Sequence, residues 1–144
     1  MNKSISEKNK LIIYKNFFFI VDNNITDIRG KFMCKNILIV DDDSNFIWQM
    51  INNIKNRDCS IATANSIDRA ENILDNNDFD FVVANVTVPG GNSMCLKDHS
   101  SPDTKFLFMS NFDSTVKTFY NSFSDKCYYK QDVTGILDRA LVNV

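Results

Sequence analysis

From Met33 onward, short apolar runs alternate with segments of helical spacing. Lys35–Val40 (KNILIV) is apolar without alternation and runs into Asp-Asp-Asp-Ser. Residues 46–56 (FIWQMINNIKN) place Phe46, Ile47, Met50, Ile51 and Ile54 on one helix face, with Asp43 or Ser44 as N-cap. Cys59–Ala64 (CSIATA) reads as a second strand. Residues 66–76 carry Ile67, Ala70, Ile73 and Leu74 on one face, capped by Asn65 or Ser66. DFVVA (residues 80–84) is a third strand, ending on Asn85 and a Pro89-Gly90-Gly91 turn. SMCLKDH allows only a short helix. Lys105–Ser110 (KFLFMS) is a fourth strand, residues 113–123 a helix, KCYYK (residues 126–130) a fifth strand, and residues 133–144 a last helix weakened by Gly135. Trp48 and the phenylalanines of the fourth strand are read as core.

Strand followed by helix, five times over, predicts parallel strands joined by helical crossovers. Apolar runs without alternation predict burial on both sheet faces. The expectation is a three-layer α/β domain over residues 33–144. Residues 1–32 fall outside this repeat as an N-terminal extension. LIIYKNFFFIVDNN is either a hairpin turning at Lys15-Asn16 or one long strand, and the alternative is that residues 1–32 are poorly ordered ahead of Met33. An exposed apolar strand there also offers a surface for self-association.

Composition narrows the function classes. The formal net charge is −2 over 144 residues, and Lys and Arg form no runs, which argues against nucleic-acid binding. No apolar run reaches the roughly 20 residues of a membrane span, and the segment near Leu11 is a poor signal peptide. Cys34, Cys59, Cys95 and Cys127 are far apart and, with His99 alone, form no recognisable zinc pattern. Reduced cytosolic thiols are expected.

Candidate chemistry sits at the strand ends, where open α/β sheets build their sites. Strand one ends at Asp41 and Asp42, strand three at Asn85, strand four at Ser110 and strand five at Lys130. Two acids, a hydroxyl and an ammonium at one edge suit a divalent cation and a phosphoryl group.

This layout closely resembles the receiver domain of bacterial response regulators. ILIVDDD resembles its opening acidic motif, FVVANVTVPGG its third strand and phospho-acceptor loop, Ser110 its hydroxyl residue and Lys130 its lysine. The markers stand 43, 25 and 20 residues apart, the second interval being short for the family. The resemblance spans about residues 33–144. It implies a flavodoxin-like, CheY-like, doubly wound five-stranded parallel sheet of order 2-1-3-4-5. It also implies a cytoplasmic, non-enzymatic role in two-component phosphorelay signalling.

The departures bear on function. Asn85 stands where the family has the accepting aspartate. Gln131 follows Lys130 where proline is usual, and Cys127 occupies the position of the aromatic switch. Phosphotransfer needs a carboxylate nucleophile, and a carboxamide cannot supply one. Asp41, Asp42, Asn85 and Lys130 sum to −1 rather than the usual −2, so Mg²⁺ binding is expected to be weakened. Lys130 is then expected to pair with Asp41 or Asp42. Ser110 is expected either to meet a phosphoryl group or to bond to backbone. Asn85 is read either as a turn residue bonded to its own loop or as a retained metal contact. Thr87, Ser93 and Asp80 are the nearest alternative acceptors.

The reading is an atypical receiver, a pseudo-receiver acting through protein contact, with no effector segment after Val144 in this sequence. A histidine kinase, another signalling protein or a second copy of the chain is the expected partner. The expected contact surface is residues 113–120, 127–129 and 133–142. The alternatives are an active acceptor at an unorthodox residue and a purely structural, oligomerising protein.

Overall fold

The computed structural model describes residues 11–12, 19–21, 24–26, 35–54, 58–122 and 125–142. Five parallel strands form the central sheet: β1 Lys35–Val40, β2 Cys59–Ala64, β3 Phe81–Asn85, β4 Lys105–Ser110 and β5 Cys127–Tyr129. Their spatial order is β2-β1-β3-β4-β5, the doubly wound order. The helices are α1 Ser44–Asn53, α2 Ile67–Asn76, α3 Asp113–Ser122 and α4 Lys130–Val142. A 3₁₀ segment, Ser93–His99, stands in the third crossover, where the sequence allowed only a short helix.

The two sheet faces explain the apolar runs. Successive strand residues point to opposite faces. Leu38, Val40, Val82, Ala84 and Phe108 face α2, the 3₁₀ segment and α3, where they meet Ile67, Ile73, Leu96 and Phe119. Ile37, Ile39, Phe81, Val83 and Met109 face the other way, against Ile47, Met50 and Ile51 of α1 and Val133, Leu137 and Leu141 of α4. Burying each of these large side chains contributes about 1.5–3 kcal/mol.

Caps fix where the helices begin. The Asp43 carboxylate accepts from Phe46 N–H at 3.1 Å, and the Ser66 hydroxyl accepts from Arg69 N–H at 3.2 Å. At the opposite end of the sheet, the Asp80 carboxylate accepts from Asn36 N–H at 2.8 Å and ties β3 to β1.

Two sequence expectations are corrected. Strand β5 stops at Tyr129, and Lys130 begins α4, three residues ahead of the predicted start. No Gly or Pro separates Lys130 from Val133, so the helix starts at once and Lys130, Val133, Leu137 and Leu141 share its buried face. Trp48 is 55% exposed, not core. It follows Ile47 by one residue and falls off the face of α1 that carries Ile47, Met50 and Ile51.

Before residue 35, Leu11–Ile12 pairs antiparallel with β2, through Leu11↔Ala62 and Ile12↔Ile61. Phe19–Val21 pairs antiparallel with Asn24–Thr26. The anticipated turn at Lys15-Asn16 lies outside the described residues. No described helix is long and apolar enough to cross a membrane.

Candidate functional site: an acidic edge closed by a lysine

Strand register brings the marker residues level. Val40 pairs with both Ala64 and Ala84, so Asp41 and Asn85 emerge side by side at the carboxyl ends of β1 and β3. Asn85 pairs with Met109, the neighbour of Ser110, and Ser110 pairs with Tyr129, the neighbour of Lys130.

Asp41 is fully buried and Asp42 is exposed. Asp41 Oδ1 accepts from Asp43 N–H at 3.0 Å. Lys130, only 8% exposed, sets Nζ 2.6 Å from Asp41 Oδ2. The contact is a buried ion pair. The same Nζ lies 4.7 Å from the centre of the Phe46 ring. A carboxylate on one side and an aromatic face on the other thus hold the ammonium.

Asn85 spends its amide nitrogen on its own loop. Nδ2 donates to Thr87 O at 2.8 Å, the bond of a turn residue. The loop is rigid beneath it: Thr87–Val88 pairs with Gly91–Asn92, and Ile67 N–H donates to Pro89 O at 2.9 Å. Gly90 sits at φ +106°, and a Cβ there would lie 2.9 Å from Ile67 Cβ. Ser93 is fully buried and donates its hydroxyl to Asn85 O at 2.7 Å. Thr87 is exposed. Asp80 lies at the opposite end of β3, bonded to Asn36. Ser110 is buried, and its hydroxyl accepts from Phe112 N–H at 2.9 Å.

At the switch position, the Cys127 thiol is buried, with Sγ 3.9 Å from Tyr128 O. Burial pushes its pKa up to about 11, so it stays a neutral, apolar filler. Tyr129 donates its hydroxyl to the Asp113 carboxylate, which joins β5 to the start of α3. That bond holds Asp113 below the usual carboxylate value and raises Tyr129.

The donors near the acids are hard oxygens, the kind Mg²⁺ or Ca²⁺ takes. The Asp41 and Asp42 carboxylates fit such an ion in kind. The fit is weak in charge, because Lys130 already neutralises one acid and Asn85 is neutral. Among the described residues no group of three or more His, Cys, Asp or Glu is arranged to hold a metal.

Sequence reasoning missed two further groupings. Phe46 was read only as helix core, yet it covers Lys130. Cys95 and His99, dismissed as scattered, meet α2: His99 Nδ1 lies 2.8 Å from Asp75 Oδ1, Nε2 lies 3.3 Å from Glu71 Oε2, and Cys95 Sγ lies 4.0 Å from the same Glu71 oxygen. A regular spacing of Glu71 and Asp75 on α2 was the available signal.

Solved structures similar to this one include receiver domains of response regulators. The receiver domain of the Francisella response regulator 1452 superposes with TM-score 0.62 at 17% identity, over 75% of this chain and 93% of that one. The fold is the receiver fold. The non-phosphorylated HemR receiver domain from Leptospira biflexa gives TM-score 0.56 at 22% identity, over 76% of this chain and 96% of that one. A Burkholderia pseudomallei response regulator, solved with a phosphorylated aspartic acid, a calcium ion and citrate, gives 0.58 at 19% identity, over 72% of this chain and 64% of that one. No protein-family model and no curated sequence matches the chain. On this receiver fold, Asp41, Asp42, Asn85, Ser110 and Lys130 stand at the strand ends or within two residues beyond them.

Proposed function

We propose that this chain is a silent receiver of two-component signalling, one that does not take a phosphoryl group at the usual position and acts by binding other proteins. The observation that carries the reading is Asn85, at the end of β3, with Nδ2 committed to Thr87 O. A receiver accepts phosphate when a carboxylate oxygen attacks phosphorus and the donor's leaving group departs with the bonding pair. The amide of Asn85 has no such nucleophile, since its nitrogen lone pair is delocalised.

The Lys130–Asp41 contact supports a pocket held in one state. Lys130 has an anion and an aromatic face already, and no phosphoryl is needed to hold it. Ser110 is likewise committed to backbone. The unorthodox-acceptor alternative finds little support: Ser93 is buried and bonded, and Asp80 is at the wrong end. A divalent cation, where bound, would take Asp41, Asp42 and the Asn85 amide oxygen, and would supply charge neutralisation only.

Output through contact is supported by the face of α3, β5 and α4. Phe112, at the entry to α3, is 71% exposed, and Val142, in the last turn of α4, is 72% exposed. We assign the partner as a histidine kinase, another cytoplasmic signalling protein or a second copy of this chain.

The test uses Trp48, the single tryptophan, which lies beside the acids. Its fluorescence is followed while Mg²⁺ and beryllofluoride, a phosphoryl mimic, are added. The protein is expected to show weak Mg²⁺ quenching and no further change with beryllofluoride, whereas Asn85→Asp shows both. A saturable beryllofluoride response in the unchanged protein would overturn the reading.

A further inference from the structure

Helix α2 packs against the 3₁₀ segment Ser93–His99 of the third crossover. Leu96, fully buried, anchors the middle of that segment. Polar contacts hold its two ends. Ser93 donates to Asn85 O at 2.7 Å, beside the acidic edge. At the other end, His99 lies between two acids one turn apart on α2. Its Nδ1 is 2.8 Å from Asp75 Oδ1, and its Nε2 is 3.3 Å from Glu71 Oε2. His99 and Glu71 are both part-buried.

Both ring nitrogens of His99 therefore face carboxylates. An imidazolium donates to both, whereas a neutral imidazole has one N–H and donates to one. We propose that His99 is a pH-sensitive latch between α2 and the 3₁₀ segment, closed on Asp75 and Glu71 as the imidazolium and open at Glu71 as the neutral ring. The shorter contact, to Asp75, keeps its proton. Nε2 gives its proton to solvent, and its lone pair then faces Glu71 Oε2, one acceptor against another. Cys95 Sγ, 4.0 Å from the same oxygen, is held above its ordinary value of 9.0 by burial and by the Glu71 charge, so the imidazole titrates first. On the segment itself, Asp98 favours the imidazolium, and the Lys97 ammonium is turned to Asp125 at 2.6 Å. The Asp75 hydrogen bond does most to raise His99 above 6.5; burial opposes it, and the charges of Asp75, Glu71 and Asp98 add to it. The latch is thus closed at pH 6.5 and below and opens as pH rises through the folded value. It stands whether or not Asn85 takes a phosphoryl group.

His99 is the chain's single histidine, so its ring protons titrate alone in the NMR spectrum of the full chain. The midpoint should lie above 6.5 and fall in Asp75→Asn and in Glu71→Gln. Hydrogen exchange at pH 6 and pH 9, corrected for the intrinsic rate at each, reads the latch itself. Protection of amides 96–100 relative to those of β1 should drop about two- to fivefold at pH 9, the ratio set by one part-exposed ion pair. The drop should vanish in His99→Gln and persist in Cys95→Ser. A midpoint at or below 6.5, equal relative protection at the two pH values, or a drop that survives His99→Gln overturns the proposal. A drop lost in Cys95→Ser assigns the response to the thiol and overturns it as well.

Discussion

Lys130→Met removes the ammonium but keeps an unbranched side chain of similar length against Phe46. It leaves Asp41 fully buried with one hydrogen bond, from Asp43 N–H, and no counter-charge. Two unit charges 2.6 Å apart attract by roughly 6 kcal/mol at an effective dielectric constant of about 20, before desolvation is subtracted. Removing one partner of a buried pair costs about 3–5 kcal/mol, because the other charge stays buried alone. Asp41→Asn tests the reverse, since it strands the ammonium. The double variant removes both charges, and its loss should fall short of the summed single losses by about 2 kcal/mol or more. Urea denaturation of the four proteins measures this, provided the slopes agree. Losses that add to within about 0.5 kcal/mol would refute the claim that the two residues form one unit.

Further outcomes follow from the same geometry. The Asp75 hydrogen bond holds the His99 imidazolium above its ordinary value of 6.5. A raised folded pKa gives stability that is complete below pH 6.5 and fades as pH rises through the folded value. His99→Gln should therefore lose stability at pH 6 relative to the unchanged protein and lose none through this charge at pH 9, as thermal melts at the two pH values will show. Gly90→Ala meets both a positive φ and Ile67, and should cost about 1–3 kcal/mol. Gly135→Ala, in α4 with only the Arg139 side-chain tip at 3.8 Å, should instead stabilise by about 0.4–1 kcal/mol. Urea midpoints distinguish the two signs.

Much of this was legible in the chain. Residues 37–40 and 81–84 face helices on both sides, so they are apolar throughout, and a polar residue, Asp41 or Asn85, follows each run. Those ends located Asp41, Asn85 and Ser110. The capping residues Asp43 and Ser66 were readable because short acceptor side chains preceded helical spacing. The helix face of α1 already excluded Trp48, so its exposure was written in the periodicity and lost only by weighing hydrophobicity over phase. Other features depended on long-range packing. Phe46 and Lys130 are 84 residues apart in sequence, and nothing local signals that one covers the other. The start of α4 at Lys130 was hidden because Lys130 reads as the last residue of the KCYYK strand until the buried face reveals its helical phase.

The central claim rests on one atom exchanged for another at the end of β3. Intact mass after incubation with Mg²⁺ and a small phosphoryl donor, such as acetyl phosphate, tests it most directly, with Asn85→Asp measured alongside. The account predicts no adduct on the unchanged protein and a single phosphoryl group on Asn85→Asp. A phosphoryl group on the unchanged protein would contradict it.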